Sequence, residues 1–230
     1  MTLLITVLGL LVLFAAGYAI WVYAAWRHFG HPSRPSLAAA DFLLDRFMPD
    51  YDVVERHHIT IAAPADVVFA SACQMDFNQH PLVRLIVATR QFLLGAQPTR
   101  VSSRVGLLDW ARSIGWGDLA AVTDREVVLG AITRPWESNV IFQALDRQAF
   151  RAFNEPGFVK IAWTIRADTR HDGRCDFWTE TRAIATDDVS RRRFRWYWAR
   201  FSAGIALIRL SILGPLKRRA ERTIQLQRAA

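Results

Sequence analysis

The amino-acid sequence predicts an α+β protein in which six to seven antiparallel strands form a curved sheet around a long C-terminal helix, behind an N-terminal transmembrane helix. Residues 1–26 contain no Asp, Glu, Lys or Arg. Segments with alternating apolar residues recur from residue 51 to 186, and residues 188–213 carry one apolar stripe at three- and four-residue steps. We therefore predict an anchor at 1–26, a linker with a juxtamembrane helix at 27–50, and one domain at 51–230.

Length and composition fit one domain with a short appendage. Of the 230 residues, 52% are apolar and 22% are charged, which excludes a disordered or collagen-like chain. Cys73 and Cys175 are too few for a disulfide framework or a four-thiolate metal site, although one bridge between them stays open. Walker loops, Rossmann fingerprints, nucleophile elbows and Cys-X-X-Cys pairs are absent from the sequence. We expect neither a cofactor nor a metal.

The N-terminal segment is long enough to cross a bilayer. About 24 helical residues span about 36 Å. The run starts uncharged and exceeds the apolar region of a signal peptide, so we expect it to remain as an anchor. Trp26 and Arg27 follow it, and positive charge on that flank predicts a single-pass protein of the cell membrane with a cytoplasmic domain. The alternative is export, with the domain on the outer side.

The elements between the anchor and the final helix follow from residue spacing. Alternation of apolar and polar residues predicts strands, and apolar residues three and four apart predict helices. Gly and Pro mark the breaks, as in the Asp172-Gly173 turn. The predicted helices are 37–48, 67–75, 82–93, 107–114 and 146–153. The predicted strands are 51–62, 118–123, 126–133, 139–145, 158–168 and 175–186, with a polar loop at 97–104.

The final helix is amphipathic, and its segment carries the basic charge of the chain. We expect the helix to run at least to Leu213 and to bend or break at Gly214-Pro215, because proline removes a backbone donor. Residues 191–230 hold ten Arg, Lys217 and one acidic residue, Glu221, for a net charge of +10, whereas the whole chain carries +8. The excess charge therefore belongs to this segment.

A nearby bilayer is the simplest partner for the basic aromatic run 191–198. Anionic headgroups attract Arg, and amphipathic helices rich in Arg and Trp lie in the membrane interface. A solvated helix face is the alternative, and nucleic acid is not the expected partner. The residues expected to contact the membrane are Trp26, Arg27, Arg191, Arg192, Arg193 and Arg195.

The order of elements is that of the helix-grip fold, and two segments carry a resemblance to a family. The stretch His58-Ile-Thr-Ile-Ala-Ala-Pro-Ala-Asp-Val-Val-Phe69 resembles the START-like, birch-pollen-allergen-like (SRPBCC) superfamily, in its bacterial polyketide cyclase/dehydrase-like branch. Phe194–Trp198 with Ser202–Arg209 is similar to membrane-anchored uncharacterised members. The resemblance implies a cavity between sheet and final helix that binds lipids, polyketides or other apolar molecules. It transfers no catalytic motif.

Aromatic and apolar side chains are the expected lining of that cavity, and Lys160 or Arg134 is expected to anchor a carboxylate. Ordinary core packing is the alternative role for the lining residues. We therefore expect a membrane-tethered protein that binds a hydrophobic small molecule or lipid. Its protein partners are not indicated. The expected ligand-binding residues are Trp116, Trp136, Phe158, Lys160, Trp163, Phe201 and Ile205.

Glu55 and His57 are the candidate acid/base pair. Because side chains alternate along a strand, the two share a face, and an imidazole oriented by a carboxylate can move protons during enolisation or dehydration of a ketone. A solvated face is the alternative, and a metal site is disfavoured because the adjacent His58 points to the other face. The sequence thus leaves two further hypotheses open: a cyclase/dehydratase-like enzyme, and an interaction scaffold with a closed core.

Overall fold

The computed structural model describes residues 1–76, 81–96 and 106–229, and the predicted loop at 97–104 lies outside them. A 3-10 turn at Leu37–Ala39 precedes α2. The helices are α1 Thr2–His28, α2 Phe42–Asp45, α3 Ala65–Cys73, α4 Pro81–Leu93, α5 Leu107–Ser113, α6 Arg147–Ala152 and α7 Asp188–Ala229. The strands are β1 Val53–Ile61, β2 Gly117–Val122, β3 Glu126–Thr133, β4 Phe142–Gln143, β5 Val159–Thr169 and β6 Cys175–Ala185.

The six strands form one antiparallel sheet in the order β1-β6-β5-β3-β2, and β4 pairs with the end of β3. Successive side chains of a strand point to opposite faces. All eight residues of β3 are buried, so both faces of the sheet are covered at its centre. Helices α3, α5 and α7 cover one face, and α2 and α6 cover the other. The predicted helix-grip architecture is confirmed.

The larger core lies between the sheet and α7. Leu129, Trp163 and Phe177 project from three neighbouring strands, and Ile212 and Leu216 meet them from α7. Burying an apolar side chain of this size contributes about 1.5–3 kcal/mol. The docking of α7 on the sheet is therefore a main source of stability for the domain.

A second core on the opposite face corrects the predicted helix at 37–48. The backbone is extended at Ala40, and the Asp41 carboxylate accepts a 2.8 Å hydrogen bond from the backbone N–H of Leu44. Asp41 is thus the N-cap of a new, short helix, α2. Leu44 and Met48 are buried with Phe150 of α6, so the linker after α1 is part of the packed domain.

Helix α7 is continuous through Pro215, which corrects the expected interruption at Gly214-Pro215. At 1.5 Å per residue its 42 residues extend about 63 Å. Leu213 and Leu216 are buried on either side of the proline, and Ala220 is buried one turn later. Packing against the core holds the helix together although the proline lacks a backbone donor.

The last third of α1 packs on α7. The Trp26 and Trp196 rings lie 4.3 Å apart, and Arg195 Nη2 donates a 2.8 Å hydrogen bond to the carbonyl of Trp26. The Tyr18 hydroxyl donates to the carbonyl of Arg200 at 2.8 Å. Residues 1–21 are exposed, so α1 leaves the domain beyond this contact.

Within the described part of the chain, two helices are long and apolar enough to cross a membrane by length and composition, α1 and α7. No residue of α1 is buried. A third of the apolar part of α7 is buried, because one side of α7 packs on the sheet. Of the two, α1 is therefore the better candidate for a membrane span.

Candidate functional site

A polar cluster interrupts the apolar surface between the sheet and α7. Strand pairing places Glu55 opposite Thr181 and His57 opposite Thr179, and all four side chains share the face that α7 covers. The neighbouring His58 lies on the other face, where its ring packs 4.1 Å from Trp178. The alternation along β1 thus brings Glu55 and His57 together, as the sequence indicates.

Glu55 and His57 form a hydrogen-bonded pair. Glu55 Oε2 lies 3.2 Å from His57 Nε2, and the two side chains are 15% and 13% exposed. Next to them, Trp163 Nε1 donates a 2.8 Å hydrogen bond to Thr179 Oγ1. The carboxylate therefore orients the imidazole ring, and His57 retains Nδ1 for a second partner.

Arg209 of α7 completes the cluster. Its Nη2 donates a 2.7 Å hydrogen bond to Thr181 Oγ1, and its guanidinium carbon lies 4.7 Å from the centre of the Trp163 ring. Burial lowers the pKa of Arg209 to about 10, and the negative charge of Glu55 acts in the opposite direction. Arg209 therefore stays charged at neutral pH and supplies a cation against the sheet.

Arg209, Thr179 and Thr181 were not among the residues predicted from the sequence. One signal for Arg209 was present, since this residue interrupts the apolar stripe between Ile205 and Ile212. A charged residue at such a position faces the core and requires partners there. Thr179 and Thr181 carry no comparable signal, because threonine is common in strands.

A pocket of 430 Å³ lies beside this cluster, between α1, β1 and α7. Glu55 is one of its wall residues, so the pocket and the polar cluster share a carboxylate. Most of the other wall residues are apolar, and the polar ones are His28, His31, Ser33, Asp52 and Ser202. The walls include Trp21 and Ala25 of α1, Val53 of β1, and Trp198 and Ser202 of α7.

The expected ligand-binding residues divide between this region and other parts of the domain. Trp163 lies at the cluster, and Trp116 packs with its ring centre 6.0 Å away. Phe201 packs on Tyr197 with the ring centres 5.0 Å apart. Ile205, half-buried, lies one helical turn before Arg209 on α7.

Three further expected residues lie away from the cluster. Trp136 packs in a separate group of side chains around Phe194, and Phe158 packs on Phe153 with ring centres 5.6 Å apart. Lys160 lies on the opposite face of the sheet, with its Nζ 5.1 Å from the Phe150 ring centre. The expectation that Lys160 anchors a ligand under α7 is thus wrong, because alternation along β5 turns it away.

The arginines expected at the membrane have different surroundings. Arg191 Nε donates a 2.9 Å hydrogen bond to Asp52, and Arg195 covers the Trp26 ring at 4.1 Å. Arg195 therefore joins α1 to α7, and Arg191 joins the start of α7 to the segment before β1. Arg192 and Arg193 are exposed, as is Arg27 at the end of α1. Membrane contact by these residues stays a prediction.

Within residues 1–76, 81–96 and 106–229, no group of three or more His, Cys, Asp or Glu is placed to hold a metal ion. Cys73 and Cys175 are unpaired. Burial raises the pKa of Cys73 to about 11 and that of Cys175 to about 12. Both thiols are therefore protonated and weakly reactive at neutral pH.

A larger cavity of 1170 Å³ lies on the opposite face of the sheet, away from Glu55. Glu126, 5% exposed, lines it together with Arg166 and the linker residues Ala38 and Ala40. Burial, followed by the charge and hydrogen bond of Asp41, raises the pKa of Glu126 to about 8. The smaller pocket is the better candidate site, because its carboxylate, Glu55, belongs to a cluster with the imidazole of His57 and the guanidinium of Arg209.

Comparison with known proteins gives fold-level likenesses only. No family model and no curated protein matches the chain. Among solved structures, CalU16 from Micromonospora echinospora is 13% identical over 74% of this chain and 84% of its own, with a TM-score of 0.26.

Two further solved structures have similar values. The Zhui aromatase/cyclase from Streptomyces sp. R1128 is 15% identical over 74% of this chain and 94% of its own, with a TM-score of 0.24. Ara h 8.0201 is 13% identical over 67% and 96%, with a TM-score of 0.20. TM-scores of this size carry no inference about function, and the fold assignment rests on the strand order and on the packing of α7.

Proposed function

We propose that the chain is a membrane-tethered protein that binds a hydrophobic small molecule or lipid in the pocket between α1, β1 and α7. The observation that carries the proposal is the position of Glu55, which lines a mostly apolar pocket and belongs to a cluster with His57 and Arg209. Ligand pockets are typically apolar, with a few converging polar groups. Glu55 accepts and Arg209 donates hydrogen bonds, so the cluster matches a hydroxyl or carbonyl at the end of an apolar molecule.

The geometry of α1 supports the tether. Residues 2–21 extend about 30 Å as a helix, which equals the thickness of the hydrocarbon layer of a bilayer. Tyr18 and Trp21 lie at the end of this segment, as aromatic residues do at membrane surfaces, and the positive residues after it favour a cytoplasmic domain. Because Trp21 also lines the pocket, the pocket opens at the level of the bilayer surface. A lipid-like ligand then reaches the pocket from the membrane.

Native mass spectrometry of the full chain in detergent tests the binding proposal. We expect one copurified small molecule per wild-type chain. We expect a several-fold lower occupancy for Glu55→Gln, because the neutral amide no longer balances the positive charge of Arg209. His58→Gln is the matched control, since His58 lies on the opposite face of the sheet. Wild-type protein that is empty in every preparation contradicts the proposal and favours a scaffold with a closed core.

The 3.2 Å contact between Glu55 and His57 favours one second candidate, a cyclase/dehydratase-like enzyme. In that reaction His57 takes a proton from the carbon beside a ketone, and Arg209 stabilises the enolate oxygen. A further variant, His57→Gln, separates the two functions once a copurified molecule is known. An enzyme loses turnover of that molecule but retains its binding in His57→Gln, whereas a carrier shows no turnover in any variant.

A further inference from the structure

Helix α4 has an apolar surface on its exposed side. Its inner side packs on the domain through Val83, which is 2% exposed. Its outer side presents Leu85, Phe92 and Leu93, which are 63%, 84% and 63% exposed. The helix contains no acidic residue, and Arg84 is exposed beside Leu85. An apolar outer stripe with only basic charge is typical of a helix that lies in a membrane interface.

Helix α4 packs beside α7. Arg90 Nε donates a 3.2 Å hydrogen bond to the Tyr197 hydroxyl. At Gly204 the two helices approach so closely that a β-carbon there would lie 2.9 Å from Ile86 Cγ2. On the wheel of α7, these contacts lie on the side opposite to that of Arg195 and Ser202, which contact α1.

The strip of α7 between its two neighbours is exposed and apolar. Leu207 and Leu210 occupy this strip and are 49% and 54% exposed. The exposed Arg200 and Arg218 lie on the same side of α7, one at each end of the apolar part. Helices α1, α7 and α4 thus form a layer with one outer apolar surface. We call Leu85, Phe92, Leu93, Leu207 and Leu210 the outer helical surface.

We propose that the outer helical surface rests on the bilayer, with α4 at the boundary between headgroups and acyl chains. This inference depends on the proposed tether, because α1 is the edge of the layer that enters the membrane. Contact between α1 and α7 restricts how the domain turns about its anchor, and it directs the neighbouring strip of α7 toward the lipid.

A lipid surface fits the outer helical surface better than a protein partner does. Soluble monomers rarely expose contiguous apolar patches of more than a few hundred Å². The charges beside the apolar residues, Arg84, Arg200 and Arg218, are all positive and match anionic headgroups. The outer helical surface is also continuous with α1, which favours a bilayer. A protein partner at this edge would have to compete with the membrane that α1 enters.

Fluorescence quenching in proteoliposomes tests this inference on the full chain. Single cysteines carrying an environment-sensitive fluorophore are placed at Phe92 in α4, at Leu11 in α1 and at Gln148 in α6, in vesicles of neutral and anionic phospholipid containing spin-labelled lipid. Phe92 and Gln148 are exposed, so their replacement leaves the core intact. Gln148 is the control, because α6 covers the opposite face of the sheet. The wild-type chain controls for labelling of the two native cysteines, of which Cys73 is partly exposed and Cys175 is buried.

We expect the Leu11 and Phe92 labels to shift to the blue and to be quenched by the lipid probes, and the Gln148 label to remain unquenched. Quenching at Leu11 without quenching at Phe92 overturns the inference and leaves the tether intact. A blue shift at Phe92 without quenching shows that protein covers α4, and it also overturns the inference. Quenching at neither position overturns the inference and the tether together.

Discussion

At the level of single residues, the neutral carboxyl of Glu126 links stability to pH. Burial and Asp41 raise the pKa of Glu126 to about 8, whereas the unfolded chain releases this proton near its ordinary value of 4.5. Between these values the folded state holds one more proton than the unfolded state. The free energy of unfolding therefore falls as pH rises, by at most about 1.4 kcal/mol per pH unit.

Glu126→Gln is expected to remove this fall, because the amide imitates the protonated acid and still donates to Asp41. Thermal unfolding of both proteins at about pH 5 and about pH 8 measures the effect, with the greater gain for the variant at the higher pH. Asp124→Asn, an exposed carboxylate two residues earlier, should leave the pH dependence unchanged. Equal slopes for Glu126→Gln and wild type would show that Glu126 is ionised in the folded state.

Only the part of the candidate site that comes from a single strand could be predicted from the sequence. Alternation along one strand suffices to place Glu55 and His57 side by side. Arg209 comes from a different element, and its contact with Thr181 bridges 28 positions of sequence. Lys160 and Trp163 belong to the same strand, but the sequence did not show which face of that strand α7 covers. These assignments depend on tertiary packing.

At the level of elements, Pro215 destabilises α7. A proline inside a helix costs about 3 kcal/mol relative to alanine, and a glycine costs about 1 kcal/mol. Pro215→Ala is expected to raise the free energy of unfolding by about 2–3 kcal/mol, and the neighbouring Gly214→Ala by about 1 kcal/mol. Denaturant titration of both variants measures this difference.

Gly214→Ala is a suitable control, because a β-carbon at Gly214 would meet only the Arg218 side chain at 3.5 Å. A stability of Pro215→Ala below that of the wild type would contradict this account. It would mean that the core requires a bend at this position.

Most elements follow from periodicity, and the exceptions share a cause. The strand predicted at 126–133 coincides with β3, and the helix predicted at 82–93 differs from α4 by one residue. The predicted helix at 37–48 divides at Asp41, and α7 continues through Pro215. In both exceptions, packing against residues distant in sequence decides where the helix begins or continues.

For the whole molecule, the contact between α1 and α7 predicts the result of removing the anchor. Deleting residues 1–26 removes the contacts that Trp21 and Trp26 make with α7. Deleting residues 2–17 retains these contacts. An aromatic pair contributes about 0.5–1.5 kcal/mol beyond its buried area, and each hydrogen bond about 0.5–1.5 kcal/mol. We expect both truncated chains to fold, with the shorter deletion more stable by roughly 3 kcal/mol.

Urea unfolding of the two truncated chains gives the comparison. Trp196→Ala in the chain lacking residues 2–17 should remove part of the difference, because Trp196 packs against Trp26. Equal stability of the two truncated chains would show that α1 contributes nothing to the domain.

The pairing of β1 with β6 has a consequence for folding kinetics. These strands contact each other across more than 100 residues of sequence, as between His57 and Thr179, whereas β5 and β6 form a local hairpin. Chains whose native contacts are distant in sequence fold slowly, because the entropy of closing the loop is lost before the contacts form. We expect the β5–β6 hairpin to form early and β1 to join the sheet late. Since β1 carries Glu55 and His57, a partly folded chain has its hairpin but not yet its site.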